Sequence, residues 1–75
     1  MDMRKLVGRN VRKARKEAGL TQERLAEKSG LTQQYISDLE RGTQNPTVIT
    51  LYELATVLEV MPSDLILAEK ARRAR

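Results

Sequence analysis

The feature that most limits the fold of this chain is a pair of helical patterns with almost nothing between them. Both patterns lie within residues 21–41, and only Gly30 and Leu31 separate them. Helices joined so closely must cross steeply, which requires small or shape-specific residues where the backbones meet. Ala26 permits the close approach, Gly30 can adopt the left-handed angle of the turn, and Ile36 fills the space below the crossing. The sequence therefore predicts two crossed helices.

The rest of the chain repeats the helical period, and no stretch alternates long enough to indicate a strand. A first helix is predicted to end at Gly19, and Pro62 is predicted to open a fifth. Three threonines are expected to cap the helices between them: Thr21, Thr32 and Thr47. The predicted inward residues are Val7, Val11, Ala14 and Ala18 in the first helix and Leu51, Leu54, Ala55 and Leu58 in the fourth. We expect an all-α fold of five short helices, forming one domain over residues 1–75.

Composition excludes several classes of protein. The 75 residues contain no cysteine and no histidine, which excludes a disulfide framework, the usual metal sites and cysteine or histidine nucleophiles. Carboxylates are scattered over separate helices, so neither an enzyme nor a cofactor is expected. The longest apolar run, residues 65–68, is too short to span a bilayer, so we expect no membrane association and a cytoplasmic protein. A domain of this size buries only about 60% of its unfolded surface, so dimerisation is also expected.

The formal charge of +4 is unevenly distributed. Residues 1–20 hold seven cations and two acids, which gives +5, and residues 21–45 hold three cations and four acids, which gives −1. Residues 46–75 are balanced, with four of each. Charged runs are most often solvated faces, but a basic element also attracts phosphate, and composition alone leaves both interpretations open.

The segment over residues 21–42, TQERLAEKSGLTQQYISDLERG, resembles the helix-turn-helix of the Cro/repressor (XRE-type) family of bacterial and phage DNA-binding regulators. The resemblance continues through Asn45-Pro46-Thr47 and covers roughly residues 7–67. It implies a lambda-repressor-like DNA-binding domain with its helix-turn-helix at about residues 21–41. The implied partner is double-stranded DNA, contacted in the major groove.

The resemblance also implies which residues contact base edges, because the helix after the turn enters the major groove with its N-terminal end. Those residues are Gln33, Gln34, Tyr35, Ser37 and Asp38. A glutamine amide both donates and accepts, as adenine N6 and N7 require. Asp38 can only accept, so it either accepts from a cytosine amino group or repels the DNA. Tyr35 is larger than the usual residue at its position and is expected to pack against a thymine methyl group or a phosphate.

Phosphate contacts are expected from other parts of the chain, in keeping with the resemblance: Thr21, Gln22, Thr32, Arg41, Thr43, Gln44 and Asn45. Gln22 lies at a helix start, where the helix dipole favours an anion. Arg15 and Glu40 correspond to a buried ion pair that links the first and third helices in family members. We interpret that pair as structural, because removing one partner would leave a buried charge unpaired.

A dimer interface is predicted at Leu65, Ile66 and Leu67, within a dimerisation helix at about residues 62–70. Three consecutive apolar residues span roughly 200° of a helix, more than one core-facing stripe needs. At least one of them should be exposed in a monomer, and a two-fold partner would cover it.

The sequence thus favours a sequence-specific transcriptional regulator that acts as a homodimer on a pseudo-palindromic operator. No ligand-sensing module and no small-molecule ligand are expected. The alternative is an antitoxin or coactivator-like module whose main partner is another protein, and a neighbouring toxin gene would favour it.

Overall fold

The computed structural model describes residues 1–68, and all the regular structure in this range is helical. The helices are α1 (Met3–Glu17), α2 (Gln22–Ser29), α3 (Gln33–Arg41) and α4 (Val48–Leu58), followed by a single 3₁₀ turn (Pro62–Leu65). The predicted all-α class is confirmed. Four α-helices replace the five that the sequence predicted.

The predicted threonine caps are confirmed. The hydroxyl oxygens of Thr21, Thr32 and Thr47 accept hydrogen bonds of 3.0 to 3.1 Å from the backbone N–H three residues further on. Each bond satisfies one of the N–H groups that a helix start leaves without an internal partner. These caps fix where α2, α3 and α4 begin.

The predicted fifth helix is wrong beyond Leu65, because the structure has a single 3₁₀ turn at Pro62–Leu65 and side-chain hydrogen bonds hold the chain after it against α1. The side-chain amide of Asn10 in α1 donates to the carbonyl oxygens of Leu65 and Leu67, at 3.1 and 2.9 Å. The 3₁₀ turn therefore closes against α1, and residues 66–68 are not helical. The last two residues of the dimerisation helix predicted at 62–70 lie outside the described residues.

The core is formed by inward side chains of all four helices and the 3₁₀ turn: Val7, Val11, Leu25, Ala26, Ile36, Leu39, Leu54, Ala55, Leu58 and Leu65. Most of the predicted inward residues are buried or partly buried. Ala18 is wrong, because α1 ends at Glu17 and Ala18 lies exposed at the helix end.

Contact between the α1 and α3 backbones sets the position of α3. Gly8 lies in α1, and a Cβ placed there would be 2.5 Å from the carbonyl oxygen of Leu39 and 2.8 Å from that of Glu40. Real Cβ atoms do not approach backbone this closely, so only glycine fits. The sequence pattern did not single out Gly8, although it is the residue that lets α3 lie directly on α1.

Candidate nucleic-acid interface

The crossing of α2 and α3 has the local geometry that the sequence predicts. Gly30 ends α2 with a φ of 79°, in the left-handed region that glycine adopts without strain. Ala26 is 7% exposed and Ile36 is fully buried. The predicted turn is therefore confirmed, and it directs the first turn of α3 away from the core.

An ion pair inside the protein holds the other end of α3. Arg15 donates through Nε to Glu40 Oε2 at 2.6 Å and through Nη2 to Oε1 at 3.0 Å. Its remaining terminal nitrogen donates to the carbonyl oxygen of Leu20 at 2.9 Å. Hydrogen bonding to Glu40, assisted by its charge, raises the pKa of Arg15 despite desolvation by burial. The predicted pair between the first and third helices is thus confirmed.

Gln22 takes part in the same network. Its side-chain amide donates to Glu40 Oε1 at 3.1 Å, so it joins the start of α2 to the end of α3. Glu40 therefore accepts from two residues on two different helices, and its side chain is only 4% exposed. The amide that the sequence assigned to a phosphate is bonded within the protein, and phosphate binding by the N–H groups at the start of α2 stays a prediction.

The outward side of α3 carries the residues predicted to contact bases. Gln33 and Gln34 are exposed, while Ser37 and Asp38 are partly buried. Tyr35 is also partly buried, because its ring packs against the core cluster. The structure thus leaves the two glutamines exposed and the other three residues partly buried.

Asp38 is held by two neighbours on its own helix. The Gln34 amide donates to Asp38 Oδ1 at 3.0 Å, and Arg41 forms an ion pair with the same oxygen. Oδ2 therefore keeps its lone pairs for an outside donor such as a cytosine amino group. The contact also neutralises part of the Arg41 charge that the sequence assigned to a phosphate.

The remaining predicted phosphate contacts lie at helix ends and in the loop before α4. The hydroxyls of Thr21 and Thr32 accept in their caps but keep an O–H that can donate to an anion. The hydroxyl of Thr43 instead donates to the Asp38 carbonyl oxygen at 2.9 Å and closes the end of α3. Asn45 is exposed and Gln44 is partly buried.

Two cations of α1, Lys5 and Arg4, lie near this loop and were not among the predicted site residues. Lys5 passes so close to Gly42 that a Cβ on that glycine would lie 2.8 Å from Lys5 Cγ. Arg4 and Asn45 line the same shallow groove at the start of α1. The sequence showed that the first helix is basic, but the juxtaposition of Lys5 and Arg4 with the loop depends on the packing of α1 against α3.

The three residues of the predicted dimer interface have different environments. Leu65 is fully buried in its own chain, so its side chain cannot contact a partner. Ile66 is 42% exposed and Leu67 is partly buried. The expectation that at least one residue of this run is exposed is confirmed, and Ile66 is the most exposed of them.

Within residues 1–68, no helix has the length and apolarity needed to cross a bilayer.

The helix-turn-helix family model matches residues 11–65, which include all of α2, α3, α4 and the crossing between α2 and α3. The chain belongs to this family. A relative described as an uncharacterized HTH-type transcriptional regulator, y4dJ of Sinorhizobium fredii, is 61% identical over 66 residues, which cover 88% of this chain and 86% of y4dJ. The resemblance to XRE-type regulators that the sequence suggested is therefore confirmed.

Solved structures of the family agree with the fold described above. A hypothetical transcription factor from Neisseria, NHTF, aligns with a TM-score of 0.92 at 32% identity, covering 97% of this chain and 84% of its own. The biofilm regulator SinR, whose crystal structure is a complex with DNA, aligns with a TM-score of 0.78 at 35% identity. The alignment covers 81% of this chain and 98% of the SinR chain. These names are those of transcriptional regulators, and none favours the antitoxin or coactivator alternative.

Proposed function

We propose that this helix-turn-helix protein is a sequence-specific transcriptional regulator that binds the major groove of double-stranded DNA. The observation that carries the proposal is the construction of α3. Its inner side is fixed by Ile36, Leu39 and the Glu40 ion pair, while its first turn presents two solvent-exposed glutamines. A rigid helix with an outward amide surface is suited to hydrogen bonding with base edges.

The proposed base-contacting residues are Gln33, Gln34, Tyr35, Ser37 and Asp38. Gln34 and Asp38 act as a pair, because the hydrogen bond between them orients the amide. An amide has two N–H groups, so one can donate to Asp38 while the other and the oxygen face a base. This arrangement favours an adenine opposite Gln34, with a cytosine amino group within reach of Asp38.

The proposed phosphate-contacting groups come from elements next to α3. They are the N–H groups at the start of α2, the O–H of Thr21, the loop at residues 43–45 and the cations Lys5 and Arg4. Such contacts fix the orientation of the protein on the duplex without selecting a sequence. SinR, which shares this fold, is bound to DNA in its crystal structure, and this supports the proposed role.

The chain is further proposed to act as a homodimer on a pseudo-palindromic operator. In dimeric helix-turn-helix proteins the two half-sites lie about one helical turn apart. No catalytic role is proposed, nor is a small-molecule ligand. Because the proposed partner is double-stranded DNA, the expected location is the cytoplasm.

Selection of bound sites from random duplexes, followed by affinity measurements at two salt concentrations, tests this proposal. We expect an enriched motif with two related half-sites and an affinity that falls steeply as salt increases. No enriched motif together with no salt dependence would overturn the proposal.

Two variants separate the proposed roles within α3. Gln34→Ala should reduce discrimination at one base pair by about 1–3 kcal/mol while leaving non-specific binding unchanged. Arg41→Ala should weaken binding to all sequences and flatten the salt dependence. Equal losses on all sequences for both variants would contradict this division of roles.

A further inference from the structure

A groove of about 470 Å³ is lined by α1 and by the chain that follows the 3₁₀ turn. We call it the α1 groove. Leu6 and Ala68 form its apolar part, and Arg9, Arg12 and Lys16 form its charged part. The three charged side chains are exposed, whereas Leu6 is buried and Ala68 is partly buried. The α1 groove thus combines an apolar floor with a basic rim.

The shape of the α1 groove is fixed by Asn10, which also lines it. The Asn10 amide donates to the carbonyl oxygens of Leu65 and Leu67, and these bonds hold the chain that leads to Ala68 against α1. The floor and the rim are therefore held in place by the fold itself. A partner that docks there gains from this preorganisation, because no wall of the groove has to be ordered on binding.

The cations of the rim are not offset by acids on their own helix. The residues three and four positions away from Arg9, Arg12 and Lys16 are apolar, glycine or further cations. Like charges at these spacings destabilise a helix. Within residues 1–68, none of the three cations forms an ion pair. A negatively charged partner would remove this repulsion and gain the pairing.

Charge argues against two partners of the α1 groove from this protein itself. Residues 69–75 carry four cations and one acid, so this segment has the same sign of charge as the rim. The same side of α1 in a second copy is basic as well. Either of these would add positive charge to the groove, so the occupant that the charges fit is an acidic segment of a different molecule.

Two features favour an acidic protein segment over a nucleic acid. The apolar floor suits a partner with apolar side chains, which a sugar-phosphate backbone does not offer. In addition, α1 packs on the last turn of α3, where Gly8 meets Leu39 and Glu40. The proposed base contacts begin at Gln33, six residues or about 9 Å along the α3 axis from Leu39. The helix that carries the groove therefore meets the opposite end of α3 from the turn proposed to enter the major groove.

We propose that the α1 groove is a docking site for an acidic helical segment of another protein. Arg9, Arg12 and Lys16 lie on one side of α1 and span about 10 Å of its length. Carboxylates at the same spacing on a partner helix pair with all three, and each arginine can bind a carboxylate through two N–H groups. Apolar side chains beside those carboxylates pack on Leu6 and Ala68, as in other helix-in-groove contacts. This contact goes beyond the proposed DNA binding and does not depend on it.

A synthetic peptide of about 15 residues, near the length at which an isolated helix becomes stable, tests the proposal. The peptide carries glutamates at positions i, i+4 and i+7 with leucines beside them, and in the control peptide glutamines replace the glutamates. Fluorescence anisotropy at low salt should show the glutamate peptide binding about tenfold more tightly than the control, with a difference that shrinks as salt is added. Equal binding of the two peptides, or binding of neither, would overturn the proposal.

Four variants locate the binding of the glutamate peptide. Arg9→Glu and Arg12→Glu should each weaken it by about tenfold, because each replaces an ion pair with a repulsion. Lys28→Glu is the matched control, since Lys28 is an exposed cation on α2, outside the groove, and should weaken binding by no more than about twofold. Ala68→Arg adds a cation but obstructs the apolar floor, so it should also weaken binding. Far-UV circular dichroism checks that each variant is folded.

The same variants separate docking in the groove from a general effect of net charge. Equal losses from Arg9→Glu and Lys28→Glu, or tighter peptide binding by Ala68→Arg, would show that only the overall charge matters. Either result would overturn the proposal.

The competing occupants are tested with random duplex DNA and by sedimentation velocity. Arg12→Glu and Lys28→Glu should lower the affinity for duplex by similar factors, because they change the net charge equally. A loss from Arg12→Glu that is larger on duplex than on the peptide would assign the groove to a phosphate backbone. Arg9→Glu should leave the association state of the chain unchanged, and dissociation of a dimer by this variant would assign the groove to an acidic side of a second copy. Either assignment would overturn the proposal and leave the proposed function in place.

Discussion

Helices α3 and α4 are alike on the inside and different on the outside. Each begins at a threonine cap, Thr32 or Thr47, and each ends at a residue in the left-handed conformation. Each inserts fully buried leucine into the shared core. The outer side of α3, however, carries amides and paired charges, whereas that of α4 carries valine, isoleucine and tyrosine beside one threonine and one glutamate.

The difference indicates that the inner and outer sides of these helices are subject to different constraints. Inner residues are constrained by packing within the chain, which would accept almost any outer residue. Outer residues are constrained by what the helix meets, and base edges and phosphates are proposed for α3. Substitutions can test each side separately.

The largest effect is expected at the inner end of α3. Glu40→Ala should lower the free energy of unfolding by about 3–5 kcal/mol, because it leaves the Arg15 guanidinium buried without its partner. Unfolding in urea measures this loss. Glu40→Gln is the control, since it keeps the shape and one acceptor and should lose less.

A core substitution in α4 provides the reference for the stability loss of Glu40→Ala. Leu54→Ala should lower the free energy of unfolding by about 2–5 kcal/mol through a cavity rather than through an unpaired charge. A loss below about 1 kcal/mol for Glu40→Ala would show that the ion pair behaves as a solvated surface pair.

Removing one carboxylate charge from the outer side of α3 or of α4 should have a smaller effect, which is measured as a change in DNA affinity. Asp38→Asn releases Arg41 from its ion pair, so we expect about tenfold tighter binding to random duplex at low salt and a salt slope steeper by about 0.9. Glu53→Gln removes the same charge from α4 and should change binding by no more than about twofold. Fluorescence anisotropy at about 50 and 200 mM salt measures both. Equal changes would mean that α3 lies no closer to DNA than α4 does.

The smallest effect is expected at the caps, where the two helices are alike. Thr32→Ala and Thr47→Ala should each lower the free energy of unfolding by about 1 kcal/mol, because each removes the acceptor for one backbone N–H. Thermal unfolding measures this, with Thr32→Ser and Thr47→Ser as the controls. Only Thr32→Ala should also weaken DNA binding, and an equal loss from Thr47→Ala would contradict the proposed role of Thr32.

Local rules made most of the fold predictable from the sequence. Threonine caps, glycine ends and the small residues at the α2–α3 crossing act over a few neighbours, so their positions along the chain are informative. In place of the fifth helix the chain forms a 3₁₀ turn, and its hydrogen bond to Asn10 joins residues that are 55 positions apart in the sequence. No local pattern contains that contact.

In the candidate site, too, the features set by local patterns were predictable and those set by contacts between separate helices were not. The outward position of Gln33 and Gln34 follows from helical period and is confirmed, whereas their contacts with bases remain predictions. The bond from Gln22 to Glu40 and the position of Lys5 beside Gly42 depend on how separate helices pack. The sequence prediction for α4 named only the residues of its core side, and the exposed apolar residues Val48, Ile49 and Tyr52 were not among them.

The missing side chain at Gly8 has a consequence for how such a protein could acquire a new target. Because α1 and α3 meet backbone to backbone there, the axis of α3 is set by atoms that are common to every amino acid. Exchanging Gln33, Gln34 or Asp38 would then alter which base pairs are preferred without tilting the helix that presents them. Sequence preference and architecture could therefore diverge independently among the descendants of one ancestral gene.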